Sequence, residues 1–143
     1  MGAHVVEGAL EEIYLEKKEK ITDELELFPF PVGCSSEPVR HSYRSHMLSR
    51  ADTVLFIFGN KLEDIAIKEA DGMLKEFEIA AANKARLIPV GASGYAAEKL
   101  WKRVVENYDD YFLTREKYDL FTRLGAPPVH PQALINQIIE IAN

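Results

Sequence analysis

A glycine and a glutamate four residues apart, Gly72 and Glu76, stand at the start of an apolar-periodic run from Asp71 to Lys84. The first N–H groups of a helix have no partner within it, so this end suits a phosphate. Glu76, one turn on from Gly72, is placed to accept hydrogen bonds from ribose hydroxyls. Asp71 can cap the same helix, and a capped helix start without any ligand has the same pattern. Lys61 directly follows Phe58-Gly59-Asn60 at a strand end, where a cation meets an anionic ligand or simply faces solvent. The guanidinium of Arg44 can take a diphosphate bidentately, although an arginine on a helix flank reads equally as surface charge.

Other chemistries lack their partners. Cys34 with His41 and His46 suggests a cysteine nucleophile, but no third orienting group stands at a recognisable position. The two histidines are five apart rather than four, so they do not share a helical face, and no metal site is expected. Gly91-Ala92-Ser93-Gly94 does not meet the Gly-x-Ser-x-Gly pattern and reads as a tight strand-to-helix turn. Glu78 reads as part of a solvated face.

The elements that position these residues form an α/β pattern. Thr53 to Phe58 is an unbroken apolar run closed by Gly59, as in a strand buried on both faces of a parallel sheet. A turn and then the Asp71–Lys84 helix follow, with Met73, Phe77, Ala80 and Ala81 facing the sheet; Leu87 to Val90 is the second strand. In such βαβ units ligands bind beyond the carboxyl ends of the strands, here the loops at Gly59, Asn60 and Lys61 and at Gly91 to Gly94.

Upstream, Ala3 to Lys18 reads as an amphipathic helix with Ile13 and Tyr14 on its apolar side. Glu24 to Phe28 alternates like an edge strand. Ser36 to Ala51 reads as a helix capped by Ser36, its apolar positions Val39, Tyr43, Met47 and Ala51, with Arg40 and Arg44 on a neighbouring face. Downstream, Ala96 to Tyr108 and Pro131 to Ala142 are helices, the latter turning Leu134, Ile135, Ile138 and Ile139 to the core; Asp109 to Pro128 is irregular, with one short helix at Tyr118 to Leu124.

With 143 residues, 47% hydrophobic and 28% charged, the chain suits one ordinary domain. A net charge of -6 argues against nucleic-acid binding, and no run reaches the length of a membrane span. One cysteine excludes an intrachain disulfide and suits a cytoplasmic location.

Taken together, FIFGNK, GMLKEFEIA, LIPVGASGY, an LW helix and a terminal LIxxIIEI helix resemble the SLOG-type (STALD) sensor domain of the Thoeris anti-phage sirtuin-like NADase effector. That domain is part of the LOG/DprA nucleotide-binding superfamily. The resemblance covers residues 5 to 143 and implies a Rossmann-like parallel sheet flanked by helices. It implies a single SLOG-like nucleotide-sensing domain over residues 1–143 that lacks the N-terminal strand-helix-strand with which the family domain starts. The implied ligand is a cyclic ADP-ribose isomer of the 3′-linked glycocyclic type, made by a TIR-domain enzyme. The implied partner is the sirtuin-like NADase domain of the parent effector, and a homo-oligomer through the outer helices is expected. By motif, the ligand contacts fall on Arg44, Lys61 and Glu76, with Gly59, Asn60 and Gly72 around them. No cofactor and no catalytic residue are implied. The alternatives are a LOG-like nucleotide phosphoribohydrolase and a stand-alone sponge for the nucleotide signal; of the LOG loop Pro-Gly-Gly-x-Gly-Thr-x-x-Glu only Gly72 and Glu76 remain, Met73 replacing the threonine, which argues against the first.

Overall fold

Two short strands run parallel at the centre: β1, Thr53–Phe56, pairs with β4, Arg86–Pro89, in the register Thr53↔Arg86 to Phe56↔Pro89. The computed structural model describes residues 2–15, 26–28, 36–63, 65–111, 114–128 and 130–143. It divides into two compact units, residues 1–34 and 35–143. In the first, α1 spans Gly2–Leu15, with Ile13 buried but Tyr14 exposed, contrary to its placing on the apolar side. Residues 26–28 of the expected edge strand are irregular; residues 24 and 25, like residues 16–18 of the expected helix and Cys34, lie outside the described residues.

In the second unit α2, Glu37–Leu48, precedes β1, and an antiparallel hairpin of β2, Asn60–Glu63, and β3, Ala66–Glu69, follows it. Then come α3, Asp71–Ala82, β4, a 3-10 turn at Gly91–Ser93, α4, Tyr95–Glu106, 3-10 turns at Tyr108–Tyr111 and Arg115–Lys117, α5, Tyr118–Arg123, and α6, Pro131–Ala142. The parallel sheet flanked by helices is the expected α/β class.

Phe77 and Ala80 on α3, Leu87 and Ile88 on β4, Leu100 and Val104 on α4, Phe121 and Ile141 are buried together with Phe56 of β1. Phe77 stacks at 5.5 Å, tilted, against both Phe56 and Tyr111, so it locks the helix to the sheet on one side and to the irregular segment on the other. Truncating so enclosed a ring typically costs about 3–5 kcal/mol. The irregular segment is anchored rather than loose. Trp101 of α4 lies so close over Gly91 and Gly125 that a Cβ on either would meet its ring, and its Nε1 donates to the Phe121 carbonyl at 3.1 Å.

Several sequence expectations shift. The strand buried on both faces is not seen: β1 stops at Phe56, and Thr53 and Leu55 are exposed. Thr53 and Leu55 point to the same face of the strand, and that face is the uncovered one. On α6, Leu134 and Ile138 pack against the core, whereas Ile135 and Ile139 are about half exposed. The turn expected after Gly59 is instead the β2–β3 hairpin, so Asn60 and Lys61 belong to a strand rather than a loop.

Gly59 is the joint between β1 and this hairpin. Its φ is +82°, and a Cβ there would sit 2.5 Å from Met73 Sδ and 2.8 Å from Ala96 Cβ. Both the left-handed backbone and the two neighbours demand glycine. Gly59→Ala is expected to lower stability by about 1–3 kcal/mol, read as a reduced urea midpoint at unchanged slope. An unchanged midpoint would contradict the joint.

Candidate functional site

Helices α2 and α3 pack side by side and run the same way. Near their starts Lys75 Nζ donates to Glu37 Oε1 at 2.6 Å, midway Arg44 Nε donates to Glu76 Oε1 at 3.3 Å, and at their ends Asn83 Nδ2 donates to the Leu48 carbonyl at 3.3 Å. Parallel neighbours bring two positive helix ends to one place, which favours an anion there. The N-cap of α3 is Ala70, which has no side-chain acceptor for the first turn. Asp71, expected to cap, is the first helical residue, and its carboxylate takes Lys61 Nζ at 3.0 Å instead.

Arg44 is the buried charge between these helices. Of the apolar positions Val39, Tyr43 and Met47, Met47 packs against the core and Tyr43 is half-buried, but Val39 is half exposed and the fully buried positions of α2 are Arg44 and Leu48. Arg44 therefore projects between the helices rather than along a flank. Its Nη2 lies 2.9 Å from where a Gly72 Cβ would be, so the guanidinium rests on the bare backbone of the first turn of α3. A guanidinium out of water requires a charge partner and hydrogen bonds. Glu76 supplies both from one side, and Glu37 Oε1 stands 3.8 Å from Nη1 on the other.

The carboxyl groups respond in opposite directions. Burial raises Glu76 above the ordinary 4.5, with the hydrogen bond and charge of Arg44 pulling the other way. Lys61 holds Asp71 below the usual range, and hydrogen bonds from Lys75 and Arg40 do the same for the exposed Glu37.

The six expected site residues thus fall into two connected groups. Arg44, Gly72 and Glu76 touch one another; Gly59, Asn60 and Lys61 form the β1 exit and the start of the hairpin, joined to α3 where Ala70 N–H donates to the Gly59 carbonyl at 2.8 Å and where Lys61 meets Asp71. Sequence reasoning placed Arg40 beside Arg44 but gave it no site role and passed over Glu37 and Lys75; the spacing Glu37, Arg40, Arg44 along one side of α2 was the available signal.

Ser93 lies in the second of the two loops expected beyond the strand ends. Its hydroxyl donates to the Val90 carbonyl at 2.6 Å and accepts from Phe58 N–H at 2.8 Å, tying together the two strand-end loops. The tight turn read at Gly91–Gly94 is present as a 3-10 turn, with Gly94 at φ +77°. Glu78, expected on a solvated face, is exposed and pairs there with Arg103, which also lies 5.2 Å over the Phe77 ring. His41 and His46 are exposed on α2. Among the described residues no group of three His, Cys, Asp or Glu is arranged for a metal ion, and no helix is long and apolar enough to cross a membrane.

A parallel strand pair flanked by helices, with two helix starts side by side and a buried arginine between them, defines a Rossmann-like α/β domain, and the charges at those helix starts are chemically suited to an anionic ligand. The chain belongs to the Sir2- and TIR-associating SLOG family, whose profile matches residues 1–143. It is 39% identical over 147 residues to the NAD(+) hydrolase ThsA of Cytobacillus dafuensis, covering 99% of this chain and 30% of the relative. It is 36% identical over 145 residues to the protein of that name from Enterococcus faecium, and 34% over 142 residues to that of Bacillus cereus (strain MSX-D12). These cover 100% and 98% of this chain and 30% of each relative. The chain thus spans about a third of the length of the curated relatives it matches.

The raised Glu76 value has a stability consequence. The folded state holds this proton more tightly than the unfolded chain, so ionisation costs nothing below the ordinary 4.5 and costs stability as pH rises through the raised value. Glu76→Gln keeps the acceptor for Arg44 and removes that penalty. The stability of the variant relative to the parent is expected to increase from pH about 4 towards neutrality and then level off, as measured by urea unfolding at a series of pH values. Asp71 and Glu37 act in the opposite sense but are common to both proteins, so they cancel in the difference. A difference independent of pH would contradict the burial of this carboxylate.

Proposed function

We propose that the chain is a nucleotide-sensing domain that binds a cyclic ADP-ribose isomer, of the 3′-linked glycocyclic type, and thereby governs the sirtuin-like NADase part of a longer cytoplasmic effector in bacterial anti-phage defence. The observation that carries this reading is the buried Arg44 guanidinium lying on Gly72 and against Glu76 at the start of α3. A guanidinium fork matches a diphosphate, the helix start adds backbone donors, and a carboxylate beside them suits ribose hydroxyls. The Lys61 ammonium, exposed on β2 and held by Asp71, supplies a second cation within reach of the same helix start.

Membership of the Sir2- and TIR-associating SLOG family supports a sensor, as does the likeness to proteins named NAD(+) hydrolase of which the chain corresponds to about a third. In this reading no residue of the chain is catalytic. The ligand acts by its difference in affinity for two arrangements of a homo-oligomer assembled through the outer helices; without such a difference it carries no signal.

The test is isothermal titration of the purified chain with cyclic ADP-ribose isomers, ADP-ribose, NAD and AMP, with light scattering before and after ligand. One cyclic isomer is expected to bind at least tenfold more tightly than the linear nucleotides. Lys61→Ala is expected to weaken that binding about tenfold or more while leaving the unfolding midpoint near the parent value, because the side chain is exposed. Arg44→Lys, which keeps the charge and loses the fork, is expected to weaken it as well. Parental affinity in both variants would overturn the site, and absence of binding to every nucleotide by the folded chain would overturn the reading.

A further inference from the structure

Three cationic side chains from two helices meet on one carboxylate near the starts of α2 and α3. Arg40 reaches Glu37 Oε2 through Nε at 2.9 Å and Nη2 at 2.7 Å. Lys75 Nζ reaches Oε1 at 2.6 Å, and Arg44 Nη1 stands 3.8 Å from the same oxygen. Glu37 is the first residue of α2, and Lys75 lies in the second turn of α3, so the carboxylate sits where the two positive helix ends come together. Two forked guanidiniums and an ammonium converging on two oxygens is the donor set of a phosphate site.

The partners differ in how firmly they are held. Arg44 is buried, with 8% of its side chain exposed, while Glu37, Arg40 and Lys75 are 43%, 33% and 45% exposed. The carboxylate can therefore turn out into water, whereas Arg44 cannot leave. Given the nucleotide-binding reading of this site, on which this rests, we propose that Arg40, Arg44 and Lys75 form a phosphate subsite and that Glu37 is its built-in competitor, a carboxylate that a ligand phosphate displaces. The cations that hold Glu37 also depress its proton affinity, so the competing charge is fully present at neutral pH. Such a competitor sets a threshold: weakly charged or sparse anions fail to displace it, and a diphosphate succeeds.

Glu37→Gln keeps the size and one acceptor oxygen while removing the charge. Calorimetry at low ionic strength is run with inorganic pyrophosphate and with the cyclic ADP-ribose isomer that binds the parent. Both affinities are expected to rise about three- to tenfold in Glu37→Gln, and Lys75→Ala is expected to weaken pyrophosphate binding in the parent and to cancel the gain in the double variant. Unfolding midpoints of all variants accompany the titrations, so a loss of fold is not read as a loss of affinity. If Glu37 only braces Arg44, Glu37→Gln binds both probes equally or more weakly, and the competitor is overturned while nucleotide binding stands. If pyrophosphate shows the gain but no nucleotide binds either protein, the subsite stands and the nucleotide reading falls.

Discussion

A guanidinium held out of water between two helices is the constraint on which the site depends. Arg44 is 7% exposed, and a charge so placed must be matched or the fold loses several kcal/mol. That requirement accounts for the residues around it. Gly72 is a glycine because its Cβ would stand where the guanidinium lies, Glu76 accepts from Nε one turn later, and α2 and α3 must run parallel for Glu37 and Lys75 to meet at the same end. Packing supports the arrangement from below: Phe77, one residue on from Glu76, is fully buried against Phe56, and Asn83 ties the far end of α3 to the Leu48 carbonyl. The polar cluster at the helix starts is thus built on a rigid base, although each of its exposed ion pairs contributes little to stability alone.

Much of the fold was legible because it follows from periodicity. The α3 stripe of Phe77 and Ala80, the β4 run and the closing α6 helix are where the apolar spacing puts them. Three features were not legible, each for a physical reason. The β2–β3 hairpin consists of four-residue strands with mixed charged and apolar residues, too short to register a period. The buried face of α2 takes in Arg44 and Leu48 beside Met47 and leaves out Val39. An arginine counted as polar cannot announce its own burial. Likewise β1 reads as buried on both faces from composition, but Leu55 is exposed, and composition does not reveal whether a helix packs on a given face.

The candidate site was partly legible from residue types. Arg44, Gly72 and Glu76 were placed near one another by the logic of helix starts and strand ends, and the structure brings them into contact. Arg40 pairs with Glu37 three residues away, a local spacing, but Lys75 reaches the same carboxylate from 38 positions away, which no local pattern encodes. The same holds for Ser93, whose hydroxyl joins two loops 35 residues apart. Family membership and geometry therefore contribute different things: the family narrows the class of domain, and the packing of α2 on α3 identifies which charges face one another.

Trp101 is the one tryptophan of the chain. Its indole lies against Gly91 at the start of the turn after β4 and against Gly125, with its N–H bound to the Phe121 carbonyl. Ser93, in the same turn, is tied to the β1 exit at Phe58. The protein therefore carries its own optical probe at the carboxyl end of its sheet. A rearrangement of those loops changes the surroundings of a single fluorophore, so its emission reports on the sheet end without a label and without interference from a second indole.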